Sequence, residues 1–160
     1  MEGKELEKIK WVFLDHNKSH WHLSPTEDLP AFLRALRYLV PPDSVVYFEA
    51  GSPDREIKTF LKDRSLKDRP IIPMGTVSPK PAFYHLPVTP DNLDNLAQIA
   101  EHHSAFEIAG HVHVYVEQTL ILQWFDAFMD PICISGEIPE KAIQLFCSEL
   151  KLSYEKAEGG

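Results

Sequence analysis

Two histidines in the second half of the chain alternate with valines. His111 and His113 lie two residues apart in the run His-Val-His-Val-Tyr-Val, which has the period of a β-strand with one apolar face. Their side chains therefore project from the same face, with Cβ atoms about 6–7 Å apart. Imidazole is the commonest metal ligand, so the pair is a candidate site for a divalent metal ion. Alternatively, both rings are hydrogen-bonded to neighbours on the less apolar face of a sheet, or they contact a ligand or a partner directly.

A second group of ionisable side chains follows predicted strands nearer the N-terminus. Asp15 and His16 end an apolar run, and Glu49 ends another. Open α/β sheets commonly bind ligands beyond the carboxyl ends of their strands, and a carboxylate beside an imidazole is suited to general acid–base catalysis. Asp15, His16 and Glu49 are therefore the candidate catalytic residues. The alternative is a solvated loop without a catalytic role.

Six further side chains are candidates for a surface that binds a partner or a ligand, because they place aromatic or imidazole rings outside the clearest apolar stripes. They are Trp21, His22, His85, Tyr115, Phe125 and Phe128. The aromatic residues of segment 124–128 cannot all be buried on one side of a hairpin. Either layers cover both faces of the sheet, or an apolar patch is exposed and marks a partner or self-association surface.

The motifs of nucleotide binding and of serine-nucleophile chemistry do not occur in this sequence. It contains no Gly-x-Ser-x-Gly, no P-loop and no Gly-x-Gly-x-x-Gly fingerprint. Its two cysteines, Cys133 and Cys147, are too few for a disulfide framework, and we expect reduced thiols in apolar surroundings. We therefore expect no cofactor, apart from the divalent metal ion considered above.

The composition is that of a folded and acidic domain. The 160 residues are 44% hydrophobic and 25% charged, with a formal net charge of −8. This charge repels phosphate backbones and anionic membrane surfaces, so we expect neither nucleic acid nor a membrane as a partner. The chain begins with a charged segment and contains no apolar run long enough for a membrane span, so we expect a cytoplasmic protein.

The spacing of apolar residues predicts the elements that must position these side chains. Amphipathic helices are predicted to begin near residues 28, 53, 90 and 139. Strands are predicted at residues 9–15, 45–49, 111–116, 120–126 and 131–135. We expect residues 16–22 to form a polar loop, residues 69–90 an extended proline-rich connection, and residues 155–160 a frayed tail.

These elements predict one domain over residues 1–160, of the α/β or α+β class, with a mixed β-sheet covered by helices. The alternation of strand and helix in the first half favours parallel pairing, and the later strands favour an antiparallel meander followed by a helix. A three-residue loop in the hairpin would place His113 opposite Gln123 and Val116 opposite Leu120.

The absence of a complete catalytic set favours a non-enzymatic module that binds a protein or associates with itself. The alternative is a small hydrolase or isomerase, with or without a metal ion, which uses a cleft of histidines and carboxylates. It requires Asp15, His16, Glu49, His111 and His113 to converge. A third hypothesis is a binder of a small molecule, with its pocket beneath the proline-rich connection.

Overall fold

The computed structural model describes residues 18–49, 54–67, 83–117 and 119–158. Its strands join one sheet of seven, in the order β3-β2-β4-β5-β6-β1-β7. They are β1 His20–Leu23, β2 Val45–Glu49, β3 Phe83–Pro87, β4 His111–Val116, β5 Thr119–Trp124, β6 Ile132–Ser135 and β7 Tyr154–Ala157. Five helices accompany them in the described part: α1 Leu29–Leu39, α2 Arg55–Arg64, α3 Pro90–Ala100, α4 Ala105–Ile108 and α5 Glu140–Leu150. The α+β class is therefore confirmed.

The expected parallel pairing in the first half is wrong. β2 lies between β3 and β4, and it is antiparallel to both. The other described ladders are antiparallel as well. One neighbour of β2 is β3, which lies in the predicted proline-rich connection, and the other is β4. The predicted strand at residues 9–15 lies outside the described residues.

Helix boundaries follow their capping side chains. Asp28 Oδ1 accepts a hydrogen bond from the Ala31 N–H at 3.1 Å, and Thr89 Oγ1 accepts one from the Asn92 N–H at 3.1 Å. Both bonds satisfy amide groups that have no partner within the helix, as capping predicts. α2 begins slightly later than expected, because the carboxylate of Asp54 caps it instead.

One face of the sheet is covered by helices and is apolar. Phe32 of α1 packs on Trp124 of β5, with ring centroids 5.0 Å apart, and on Phe146 of α5 at 5.7 Å. Val46 of β2 and Val112 of β4 are buried in the same cluster. The side chains of β4 that alternate with its histidines thus face the helices, as the sequence predicts.

The β4–β5 hairpin keeps most of its predicted register. Val112 faces Trp124, and His113 faces Gln123. The pairing shifts between Val114 and Tyr115, so Val116 faces Thr119 and not Leu120. The extra residue of this irregularity changes the local pairing near the turn without turning the histidines to the helix-covered face.

Three strands lie in segments that were predicted to have no regular structure, so these predictions are wrong. The predicted polar loop 16–22 contains most of β1, the predicted proline-rich connection contains β3, and the predicted frayed tail contains most of β7. β1 pairs with β6 on one side and with β7 on the other. Strands as short as β1 and β7, with 4 residues each, are stabilised by these neighbours and carry little periodic signal of their own.

Candidate functional site

A row of polar side chains crosses the face of the sheet opposite the helices. Tyr47 of β2 lies between His85 of β3 and His113 of β4, and His113 in turn faces Gln123 of β5. Glu49 and Tyr115 lie on the same face, because they are two residues from Tyr47 and His113. We call this set of six side chains the polar face: Tyr47, Glu49, His85, His113, Tyr115 and Gln123. All six are buried, with exposed fractions between 0% and 9%.

Tyr47 and Glu49 form a buried pair. The Tyr47 hydroxyl donates to Glu49 Oε1 at 2.7 Å. Burial raises the pKa of Tyr47 well above its usual value, and the hydrogen bond and the charge of Glu49 raise it further. The phenol therefore remains a donor. Within the described ranges, the second oxygen of this carboxylate, Oε2, has no hydrogen-bond partner.

His113 is held as a neutral donor. The Trp124 N–H donates to His113 Nδ1 at 3.2 Å, so the proton of the neutral ring lies on Nε2. Burial, and to a smaller extent the charge of nearby His111, lowers the pKa of His113 to about 3. The imidazole is thus uncharged at neutral pH. Nε2 is buried and has no hydrogen-bond partner among the described residues.

His111 has the same kind of anchor. The Asp126 N–H donates to His111 Nδ1 at 3.0 Å, which places the proton of the neutral ring on Nε2. A protonated nitrogen does not ligate a metal ion, so binding at either Nε2 would first require these backbone contacts to change. In the described part of the chain, no group of three His, Cys, Asp or Glu side chains is arranged to hold a metal ion. A metal ion at His111 and His113 stays a prediction.

Aromatic rings surround these polar groups. Tyr47 stacks with Phe83 at 6.1 Å and with His113 at 6.1 Å, and Phe125 contacts the His113 ring at 4.9 Å. His85 Nδ1 and the Tyr115 hydroxyl are hydrogen-bonded at 2.8 Å. Planar rings on several sides restrict the orientations of the polar atoms between them.

A cavity of about 500 Å³ opens beside the polar face. Phe83 and His85 line it, and they are the register partners of Glu49 and Tyr47. Its other described lining residues are Lys62, Asp63, Ser65, Leu66, Lys67 and Tyr84. This volume is within the range of small-molecule pockets, which is about 300–1,000 Å³.

The structure brings several of the sequence-predicted residues together. Glu49 faces His111 across β2 and β4, and His113 is on the same face. The two candidates for a binding surface on β3 and β4, His85 and Tyr115, also lie there, buried rather than exposed. Of the five residues that the acid–base hypothesis requires to converge, Glu49, His111 and His113 thus lie on one face of the sheet, and Asp15 and His16 lie outside the described residues.

Other candidates lie elsewhere. Trp21 is buried on the helix-covered face and donates through Nε1 to the Ile138 carbonyl at 3.0 Å. Phe128 packs on Trp124, with ring centroids 5.1 Å apart. His22 lies on β1, which β5 and β6 separate from β4. Asp15 and His16 lie outside the described residues.

Two members of the polar face were not selected from the sequence as site residues, Tyr47 and Gln123. Tyr47 alternates with Glu49 on β2, so its face could have been assigned from the strand period alone. The predicted hairpin register already placed Gln123 opposite His113. What the sequence lacked was the position of β2 beside β4, which brings the two strands' polar side chains together.

Comparisons with protein-family models, with curated proteins and with solved structures give no match for this chain. None of the helices in the described ranges combines the length and the apolar character that a membrane crossing requires.

Proposed function

We propose that this protein binds a small polar molecule that carries N–H or O–H groups, and that the polar face is its binding site. One observation carries the proposal: Glu49 Oε2, His113 Nε2 and Gln123 Oε1 are buried on one face without hydrogen-bond partners among the described residues. A buried polar group without a partner costs about 1–3 kcal/mol, and a charged one costs more. Folded proteins contain few such groups, so three on one face favour a ligand over a purely structural role.

The chemistry of the three atoms indicates the class of ligand. The carboxylate oxygen of Glu49 and the amide oxygen of Gln123 accept hydrogen bonds, whereas Nε2–H of neutral His113 donates one. A complementary molecule therefore has at least two donor hydrogens and one acceptor, as in amides, nucleobases and sugars. The surrounding rings of Phe83, Tyr47 and Phe125 favour a planar molecule.

The same arrangement supports acid–base chemistry, as a hydrolase or isomerase requires. Glu49 and His113 are diagonal neighbours across β2 and β4, with Cα atoms about 7–8 Å apart. Glu49 Oε2 is placed to accept a proton, and the neutral imidazole is placed to donate a hydrogen bond to a carbonyl oxygen. A carboxylate base with a neutral histidine donor is an established combination for proton transfer next to a carbonyl group.

A thermal-unfolding screen tests this function. We expect at least one compound from a panel of amides, nucleobases and sugars to raise the unfolding midpoint, because a ligand that binds only the folded state stabilises it. The Glu49→Gln variant should lose that rise, since it keeps an acceptor for Tyr47 but replaces the carboxylate. If the wild type converts the bound compound into a product, mass spectrometry should detect that product with the wild type and not with Glu49→Gln.

The matched control is Glu137→Gln, which changes an exposed carboxylate in the turn before α5. It should respond to the panel as the wild type does. A panel without any stabilising compound contradicts the proposal, and so does a compound that stabilises the wild type and Glu49→Gln equally.

A second candidate function is protein binding, and it is supported by exposed apolar side chains. Phe106 is 48% exposed and Met129 is 70% exposed. Both border Phe128, because the Phe106 ring contacts the Phe128 ring at 5.3 Å and Met129 follows Phe128 in the chain. Large apolar side chains exposed close together are typical of surfaces that bind another protein.

A further inference from the structure

One imidazole lies among three carboxylates in the turn between α3 and α4. His103 Nδ1 is 2.7 Å from Glu107 Oε2 and 3.4 Å from Asp54 Oδ2, and His103 Nε2 is 3.2 Å from Glu56 Oε1. Glu107 belongs to α4, whereas Asp54 caps α2 and Glu56 lies in the first turn of α2. The His103 side chain is 14% exposed. This ring therefore connects α4 to the start of α2.

The contacts on both sides of the ring require its charged form. An ionised carboxylate only accepts hydrogen bonds, so each nitrogen of His103 has to donate. The neutral ring carries one N–H and can donate on one side only, whereas the imidazolium carries two. The hydrogen bonds to Glu107 and then to Glu56 contribute most to raising the pKa of His103, and desolvation opposes them.

His103 is also the counter-ion of the group. The charged side chains that face the ring are Asp54 and Glu56 from α2 and Glu107 from α4, and all three are acidic. Among the residues that the structure describes, none of the three forms an ion pair with a lysine or an arginine. Loss of the imidazolium charge would thus leave carboxylates from two helices close together, where they repel each other.

The helix α4 depends on contacts with the rest of the molecule. It has 4 residues, and its N-cap residue Ser104 makes no side-chain hydrogen bond to it. A helix of one turn is not stable alone, so its packing decides whether it forms. Ile108 lies in the apolar cluster, and the Phe106 ring contacts the Phe128 ring at 5.3 Å. The bond between Glu107 and His103 adds a contact whose strength depends on pH.

We propose that His103 is a pH-dependent clamp between α2 and α4. In the protonated form, its two N–H groups hold Glu107 of α4 and the carboxylates at the start of α2 together. After loss of a proton, one side of the ring has no donor, the carboxylates repel each other, and α4 opens more often. Phe106 lies on α4, so the position of this exposed apolar side chain also depends on pH. The clamp does not depend on the function proposed for the polar face.

Urea unfolding of the full chain at pH 6 and pH 9 tests the clamp. Since the folded chain has the raised pKa, the contribution of His103 to stability is complete below the unfolded value of 6.5 and is lost as the pH rises through the folded value. The urea midpoint of the wild type should therefore decrease more between the two pH values than that of His103→Gln, which has no titrating ring. The matched control is His102→Gln, an exposed histidine, which should decrease as the wild type does. Equal decreases in the wild type and in folded His103→Gln overturn the proposal.

Two NMR measurements on the wild type avoid any effect of a substitution on folding. The His103 ring signals should titrate with a midpoint above pH 6.5, and the nuclear Overhauser effect between the Phe106 and Phe128 rings should weaken over the same pH range. A His103 midpoint at or below 6.5 contradicts the clamp. An unchanged Overhauser effect after His103 has titrated shows that α4 is not released, and also contradicts it.

Discussion

At the scale of single residues, backbone amides decide what the histidines of β4 can do. Each accepts a hydrogen bond from a backbone N–H of the neighbouring segment. The donor to His113 is Trp124, the last residue of β5, and the donor to His111 is Asp126, just after β5. These bonds fix the proton on the opposite nitrogen and favour donation over metal binding. In the neutral His20 ring the proton lies on Nδ1 instead, because Nδ1 faces a carbonyl. Identical side chains in two strands thus have different chemistry.

The low pKa of His113 predicts a loss of stability in acid. The pKa is about 3 in the folded chain and near 6.5 in the unfolded one, so between these values only the unfolded chain binds the proton. The free energy of unfolding therefore decreases as the pH falls from 6.5 towards 3, and the decrease due to His113 is about 2–3 kcal/mol at pH 4.5. Urea unfolding at pH 7 and pH 4.5 should show a smaller decrease for His113→Gln than for the wild type. Equal decreases would show that His113 titrates normally.

At the scale of elements, the sequence predicted those with a strong period or a cap. β2 and α1 occur where their alternation and capping residues place them, and the β4–β5 register is correct as far as Val114. The missed strands are β1, β3 and β7, which are short and depend on pairing with distant segments. Local periodicity contains no information about such partners, so it also could not predict that β2 lies beside β4.

The candidate site was likewise predictable where local periodicity determines it and not where it depends on distant segments. The face occupied by His111 and His113 was predictable from the valines between them. Their burial was not, because it depends on what other segments contribute. The position of Glu49 beside His111 was not predictable either, because it depends on the antiparallel β2–β4 pairing.

The exposed apolar side chains of α4 and of the segment after β5 predict self-association. If Phe106 and Met129 contact a second copy of the chain, light scattering of the wild type should give the mass of a dimer. The double variant Phe106→Ser, Met129→Ser should be monomeric, because it removes the apolar area from the contact. Leu145→Ser on α5, also at an exposed apolar residue, is the matched control and should remain dimeric. A monomeric wild type would contradict self-association through this surface.

At the scale of the whole molecule, the sheet separates two environments. Its helix-covered face carries the apolar cluster that stabilises the fold, which includes Phe32, Trp124 and Phe146. The opposite face carries a buried row of hydroxyl, carboxylate, imidazole and amide groups. An apolar layer would be the more stable choice on both faces, so polar side chains kept at a cost in stability are typical of functional sites.

The free energy of unfolding of Gln123→Met tests this account most directly. Methionine has nearly the shape of glutamine and removes the buried amide oxygen that has no partner within the described ranges. We predict a rise of about 1–3 kcal/mol in urea unfolding. Asn92→Leu is the matched control and should be less stable than the wild type, since the Asn92 amide bonds Pro87 and Arg64. A decrease for Gln123→Met similar to that for Asn92→Leu would show that the polar face serves stability, and would contradict the proposed binding site.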